Sequence, residues 1–383
     1  MTSTSLYRRP LPSGLIPFAS AQGRALFSEA LQEGTLESFF PIIEQFHTQA
    51  DPAFCGLASL VVALNALGID PGRLWRGPWR WFSEEMLDCC TPLEQVQQQG
   101  VSIEELACLA RCNGADAVVM RPEEHGETEF RAAVEASARS AAQTVIIASF
   151  SRLELNQTGE GHFSPIGGYH CQGDWALVLD VARFKYPPYW VELSELYRAM
   201  KGADPKTGRS RGWISMQRRG APSSIAYFIS CRSGMGIGHT INELLIETKS
   251  RLRAAPLNAV GNVIKVAASA AIEIGLPGCI ELRMPRSPEH ESLFDSLRHA
   301  VVQSPTYQAV RLHYGEKHAE LATAWLLAAP ADTWSGLPSQ LREELRCLFD
   351  LDRLKPELAT EVQHVQKQVE FLLQHAREGG AHA

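Results

Sequence analysis

The chain has 383 residues, more than one ordinary hydrophobic core accommodates and enough for two domains. Its 45% hydrophobic and 21% charged residues exclude the disordered class and describe a folded globular protein. A formal net charge of −7 speaks against nucleic acid or an anionic membrane surface as main partner, though a local basic pocket can still serve a small charged substrate.

Near the N-terminus, Arg8 and Arg9 are followed by Pro10, Pro12 and Gly14, where a signal peptide needs an apolar run. The expectation is therefore a cytoplasmic protein. A helical pattern over residues 58–67 begins just after Asp51-Pro52-Ala53-Phe54-Cys55-Gly56. A second helix is expected over 101–112, with Ser102 as cap and Glu105 three residues on, the spacing of a capping box. Residues 144–150, 163–170 and 175–181 are rich in β-branched and aromatic side chains and read as strands of one antiparallel sheet. The last two are joined by a polar turn at Gln172-Gly173-Asp174.

Lys, Arg, Gly and Pro accumulate over 206–223 and mark a break. Beyond it, residues 241–252, 260–274, 289–302, 318–328 and 358–375 show helical spacing. The stretch 259–276 is the most apolar, but Lys265 and Glu273 make it a packed helix and no membrane span is expected. In the last helix Leu358, Val362, Val365, Val369 and Leu372 form one apolar stripe, read as domain core with a homodimer seam as the alternative. The fold class expected is α+β. A catalytic domain over 1–220, part helical and part antiparallel sheet, precedes a mainly helical domain over 221–383.

Nine cysteines, an odd number without even framing, suit reduced thiols better than a disulfide scaffold. Cys55 stands at a loop-to-helix junction, where the positive end of the helix dipole favours thiolate. Gly56 beside it would let a substrate carbonyl approach the backbone. A lone Cys-Gly is more often structural, so the case rests on its company. Gln49 lies six residues earlier, and in papain-like folds a Gln at that spacing donates its amide to the oxyanion hole. His162 follows Gly159-Glu160-Gly161 at the mouth of a strand, and Asp180 ends the next. In the order Cys, His, Asp these groups can form a nucleophile, its base and the carboxylate that fixes the base's tautomer. Pairing His162 with Asp180 needs an offset or wide hairpin.

Four runs carry a resemblance. They are Phe54-Cys55-Gly56-Leu57-Ala58-Ser59-Leu60, Leu64-Asn65-Ala66-Leu67-Gly68-Ile69-Asp70-Pro71-Gly72-Arg73, and Gly77-Pro78-Trp79-Arg80-Trp81-Phe82 leading into Met86-Leu87-Asp88-Cys89-Cys90. The fourth is Gly161-His162-Phe163-Ser164-Pro165-Ile166-Gly167-Gly168-Tyr169, continued by Leu179-Asp180-Val181-Ala182-Arg183-Phe184-Lys185-Tyr186-Pro187-Pro188. From near Tyr7 to about Arg219 the chain closely resembles the phytochelatin synthase family, glutathione γ-glutamylcysteinyltransferases of the papain-like peptidase clan. The resemblance implies that Cys55, His162 and Asp180 are the triad and Gln49 the oxyanion glutamine. It implies glutathione as donor, a γ-Glu-Cys thioester on Cys55, and glutathione or a growing phytochelatin as acceptor.

Glutathione carries two carboxylates and one ammonium, so cations are expected around the cleft, with Arg preferred for bidentate capture. Arg183 and Lys185 stand just beyond Asp180, beside Tyr186-Pro187-Pro188, and Arg152 matches a family position implied in holding the acceptor. Surface salt bridges are the bland alternative for each. Cys89, Cys90, Cys108 and Cys112 match family cysteines and are candidate ligands for a soft metal, with core packing the favoured alternative. No organic cofactor is expected. A heavy-metal ion such as Cd(II) or Zn(II) is expected as activator, carried as the metal–glutathione thiolate that itself serves as acceptor. The C-terminal half holds only Cys231, Cys279 and Cys347, without the clusters many plant members carry, so it is expected to stabilise or regulate. The rival readings are a glutathione hydrolase of the same fold and a non-enzymatic thiol metal buffer or sensor.

Overall fold

The structure is a computed structural model that describes residues 8–72, 74–88, 91–141, 143–219, 227–229, 237–274, 280–282, 288–314 and 316–379. The chain divides into two compact units. One is built from Met1–Leu87 and Leu93–Gly220, the other from Asp88–Pro92 and Ala221–Ala383. Among the described residues no helix is long and apolar enough to cross a membrane.

The first unit runs β1 (Ile16–Pro17), α1 (Ala21–Gln32), α2 (Phe39–Gln45), α3 (Cys55–Ala66), α4 (Leu93–Gln99), α5 (Ile103–Cys112), β2 (Ala115–Met120), α6 (Glu127–Ala138) and β3 (Thr144–Ser151). It continues with β4 (Gly161–His170), β5 (Trp175–Val178), β6 (Tyr189–Glu192), α7 (Leu193–Met200) and β7 (Gly212–Arg218). The seven strands form one sheet in the order β1-β6-β5-β4-β3-β7-β2, with every neighbouring pair antiparallel. The α+β expectation holds. The break placed at 206–223 does not hold throughout, because β7 lies inside it and sits between β3 and β2. Trp213, Ile214 and Met216 are fully buried there, which offsets the charged flanks that hide the strand in the sequence.

Helix α3 is apolar all round, and every residue from Gly56 to Leu64 is buried. A helix without a polar face belongs inside a core. Gly56 is required by packing rather than by substrate approach: a Cβ there would stand 2.4 Å from a Val101 methyl and 3.4 Å from the Phe163 ring. Helix α5 starts at the expected capping box. The Glu105 N–H donates to Ser102 Oγ at 3.2 Å, and the Ser102 N–H donates to the Glu105 carboxylate at 2.6 Å. Ser102→Ala should lower the stability of the chain by about 1 kcal/mol. A urea titration of both proteins reads this as a lower midpoint with unchanged slope.

The second unit contains a two-stranded antiparallel ribbon, β8 (Tyr227–Ile229) with β9 (Ile280–Leu282). Its helices are α8 (Ile237–Ala254), α9 (Val260–Glu273), α10 (Pro288–Gln303), α11 (Pro305–Tyr314), α12 (Glu316–Ala328), α13 (Ser339–Leu348) and α14 (Pro356–Gly379). Small residues of α9 and α12 pack with Leu358, Val362, Val365 and Val369 of α14 in one core. The apolar stripe is therefore this unit's own interior. Leu373 closes it, while the side chain of Leu372 lies outside the described residues.

Candidate active site

The site is assembled by the hairpin β4–β5 and the start of α3. Through the outer half of the hairpin, Gly168 pairs with Leu177 and His170 with Trp175. One residue further the register shifts, and Ile166 pairs with Val178, leaving Gly167 as an extra residue on β4. The shift persists, since the Leu179 N–H donates to the Pro165 carbonyl at 3.0 Å. Carried one step on, it places Asp180 across from Ser164, on the face that His162 shares with Ser164. Without the extra residue Asp180 would oppose Pro165 and point to the other face. The offset anticipated from the sequence is thus one β-bulge.

His162 Nε2 lies 3.0 Å from Asp180 Oδ1 and 2.9 Å from Ser164 Oγ, with all three side chains buried. With Nε2 so engaged, Nδ1 is the nitrogen left for the hydrogen bond between His162 and the Cys55 thiol. Cys55 is the first residue of α3, where the opening N–H groups have no partner within the helix. Burial pushes its thiol up, but the His162 hydrogen bond and charge, the Phe163 N–H and Arg152 outweigh it and draw the thiol below its ordinary value. Burial and Arg152 act to lower His162, yet the Asp180 carboxylate and the Cys55 hydrogen bond carry it above the usual imidazole range. A depressed thiol beside a raised imidazole is the condition for a thiolate–imidazolium pair.

Asp180 is fully buried. Burial would raise its carboxyl, but the His162 and Arg152 charges and the Ala182 N–H hold it down at about 2. Arg152 is buried as well, with Nη2 2.9 Å from Asp180 and Nη1 2.5 Å from Gln157 Oε1, and its guanidinium lies 5.1 Å from the Tyr186 ring centroid. Arg152 thus braces the triad carboxylate, a contact the sequence reading of it as an acceptor-holding cation does not include. Tyr186 is buried, and its hydroxyl accepts the Thr158 N–H at 2.9 Å. Lys185 is half-buried, with Nζ donating to the Thr158 carbonyl at 2.5 Å. Arg183 is exposed and rests its guanidinium 5.2 Å from the Phe46 ring centroid.

The Gln49 N–H donates to the Val181 carbonyl at 3.0 Å, which ties it to the Asp180 end of the hairpin. Its side-chain amide donates to the carbonyls of Asp51 and Pro52 at 2.8 and 2.9 Å, while the buried Oε1 has no hydrogen-bond partner among the described residues. Both amide hydrogens are thus committed to the loop before Cys55, and donation to an oxyanion requires releasing one. The sequence reading overlooked the brace on that loop. Glu84 accepts the Ala50 N–H through both carboxylate oxygens, at 3.0 and 3.2 Å.

Arg211 and Asp204 were not legible either. Arg211 is buried against the α-carbon of Gly161, its nearest carboxylate oxygen on Asp204 is 3.8 Å away, and its Nε has no partner among the described residues. Cys108 and Cys112 are buried on one face of α5 with sulfurs 3.9 Å apart. Cys89 and Cys90 lie outside the described residues, and no group of three metal-ligating side chains occurs among those described.

A thiol at a helix start, an imidazole and a buried carboxylate in this order define a cysteine-nucleophile site of the papain-like kind. A model of phytochelatin synthase matches residues 6–213, and the chain belongs to that family. It is 52% identical over 233 residues to glutathione gamma-glutamylcysteinyltransferase 3 of Lotus japonicus, covering 61% of this chain and 48% of that protein. It is 53% identical over 235 residues to glutathione gamma-glutamylcysteinyltransferase 1 of Triticum aestivum, covering 61% and 47%. For the Schizosaccharomyces pombe glutathione gamma-glutamylcysteinyltransferase the figures are 43% over 221 residues, 58% and 53%. The aligned part spans about half the length of these curated relatives.

Proposed function

We propose that this chain is a γ-glutamylcysteinyl transpeptidase acting on glutathione. The Cys55 thiolate attacks the carbonyl of the Cys–Gly bond, and His162 gives its proton to the departing glycine nitrogen. The C–N bond breaks and γ-Glu-Cys remains as a thioester. The amine of a second glutathione, or of a growing phytochelatin, then attacks that thioester, yields its proton to His162, and expels Cys55 as thiolate. The product is (γ-Glu-Cys)n-Gly. Oxyanion stabilisation comes from the Cys55 N–H, aided by Gln49 if its amide is released from the loop.

The observation that carries this reading is the Cys55–His162–Asp180 arrangement in a chain about half identical, over its aligned part, to glutathione gamma-glutamylcysteinyltransferases. Recognition of substrate charge suits it. Arg211 beside Asp204 complements the α-carboxylate and α-ammonium of a γ-glutamyl terminus, and Lys185 and Arg183 lie on the Asp180 side for the second peptide. The soft metal enters as substrate, as a glutathione thiolate of Cd(II) or Zn(II), so that detoxification in the cytoplasm follows from the product's thiols.

Purified protein incubated with glutathione, with and without Cd(II), should yield glycine and (γ-Glu-Cys)2-Gly, detected by mass. Glycine release without the longer peptide replaces transfer by hydrolysis. Neither product, together with Cd(II) binding that survives Cys55→Ser, would leave a thiol buffer as the function.

A further inference from the structure

We infer that Ser164 is a fourth member of the catalytic apparatus, a positioning residue that shares the imidazole N–H of His162 with Asp180. Ser164 is wholly buried two residues beyond His162 on the same face of β4, and its Oγ stands as close to Nε2 as the carboxylate does, 2.9 against 3.0 Å. Asp180 Oδ1 also receives the Ala182 N–H at 2.9 Å, and Arg152 Nη2 stands 2.9 Å from both carboxylate oxygens. A carboxylate oxygen offers two lone-pair directions, so at Oδ1 the imidazole competes with the Ala182 N–H and with the share of Arg152 that Oδ2 does not take. The serine hydroxyl supplies a second acceptor for the same N–H.

The consequence is chemical. The base works only if Nε2 holds the proton and Nδ1 faces Cys55. A neutral acceptor beside the charged one keeps that tautomer and limits rotation of the ring. The charged groups that act on His162 are Asp180, Arg152 and Cys55. Ser164 changes none of these charges, so its effect is separable from theirs. Asp180→Asn protein should keep residual activity because Ser164 still accepts the N–H.

The test reads Cys55 without substrate, and so stands apart from the glutathione reading on which the word catalytic rests. The pH titration of thiolate absorbance and the rate of iodoacetamide alkylation are measured for wild type, Ser164→Ala, Asp180→Asn and the double variant. Ser164→Ala should raise the Cys55 titration by about one pH unit and cut alkylation near neutrality about tenfold. Ser164→Thr, which retains the hydroxyl, should restore most of it, and thermal melts of each variant test whether folding is kept. The loss in the double variant should exceed the product of the single losses, because the first change leaves one acceptor and the second leaves none. Multiplicative losses, or a Ser164→Ala titration equal to wild type, would overturn the assignment. If Ser164→Ala melts early, the Ser164→Thr protein decides: a folded threonine variant with a raised titration also overturns it.

Discussion

Cys55→Ser protein should release no measurable glycine from glutathione, a fall of at least about 10⁴-fold in kcat, while folding as wild type does. The serine hydroxyl replaces the thiol at the first turn of α3 with little change of volume, so the buried helix is undisturbed. What is lost is acidity. The thiol is drawn down by His162, the Phe163 N–H and Arg152, whereas a serine hydroxyl lies far above the range those groups can reach. Activity of the native enzyme should therefore rise with pH through the depressed Cys55 titration and fall through the raised His162 titration. A pH–rate profile of glycine release shows the bell, and its limbs belong to the coupled pair rather than to either residue. Retention of glycine release by Cys55→Ser would remove Cys55 as nucleophile.

Arg152→Ala should be the most destabilising single change near the site. Its guanidinium is the counter-charge of a carboxylate with no exposed surface, and deleting one partner of a buried pair costs about 3–5 kcal/mol. Arg183→Ala, at an exposed guanidinium on a Phe46 ring, should cost less than about 1 kcal/mol. Asp180 also sets how the loss depends on pH. Its folded-state value, about 2, lies below the ordinary 3.8, so its contribution is present above pH 3.8 and disappears as pH falls toward 2. Without Arg152 the folded carboxyl moves up, and acid unfolding should start at higher pH. Urea titrations at several pH values separate the variants. Equal midpoints for Arg152→Ala and Arg183→Ala would remove Arg152 as the brace of the triad carboxylate.

The triad was legible because each member occupies a junction that short-range rules can read. Cys55 opens a helix, His162 opens a strand and Asp180 follows one. The capping box of α5 was legible for the same reason, since its two partners lie three residues apart. Strand β7 was not: its alternation of Trp213, Ile214 and Met216 with Ser215 and Gln217 is short and framed by charged residues. Its position between β3 and β2 is set by pairing partners about seventy and one hundred residues earlier. The surroundings of the cations were hidden for a related reason. Arg152, Arg183 and Arg211 look alike in a sequence, and only the fold separates the two buried ones from the exposed Arg183. Gln49 stands in the expected place, but which groups its amide meets depends on the path of the Asp51–Pro52 backbone.

The bulge at Gly167 makes the active site a matter of odd and even. A change of length at the hairpin tip, around Gln172 and Gly173, lies beyond the bulge and leaves the His162 end in phase. Deleting Gly167 alone leaves the strands able to pair but changes the face of every residue on one side of the bulge, and so turns Asp180 away from His162. In this chain the hairpin tip is thus a place where length is cheap, and Gly167 a place where one residue decides which side of the sheet carries the carboxylate.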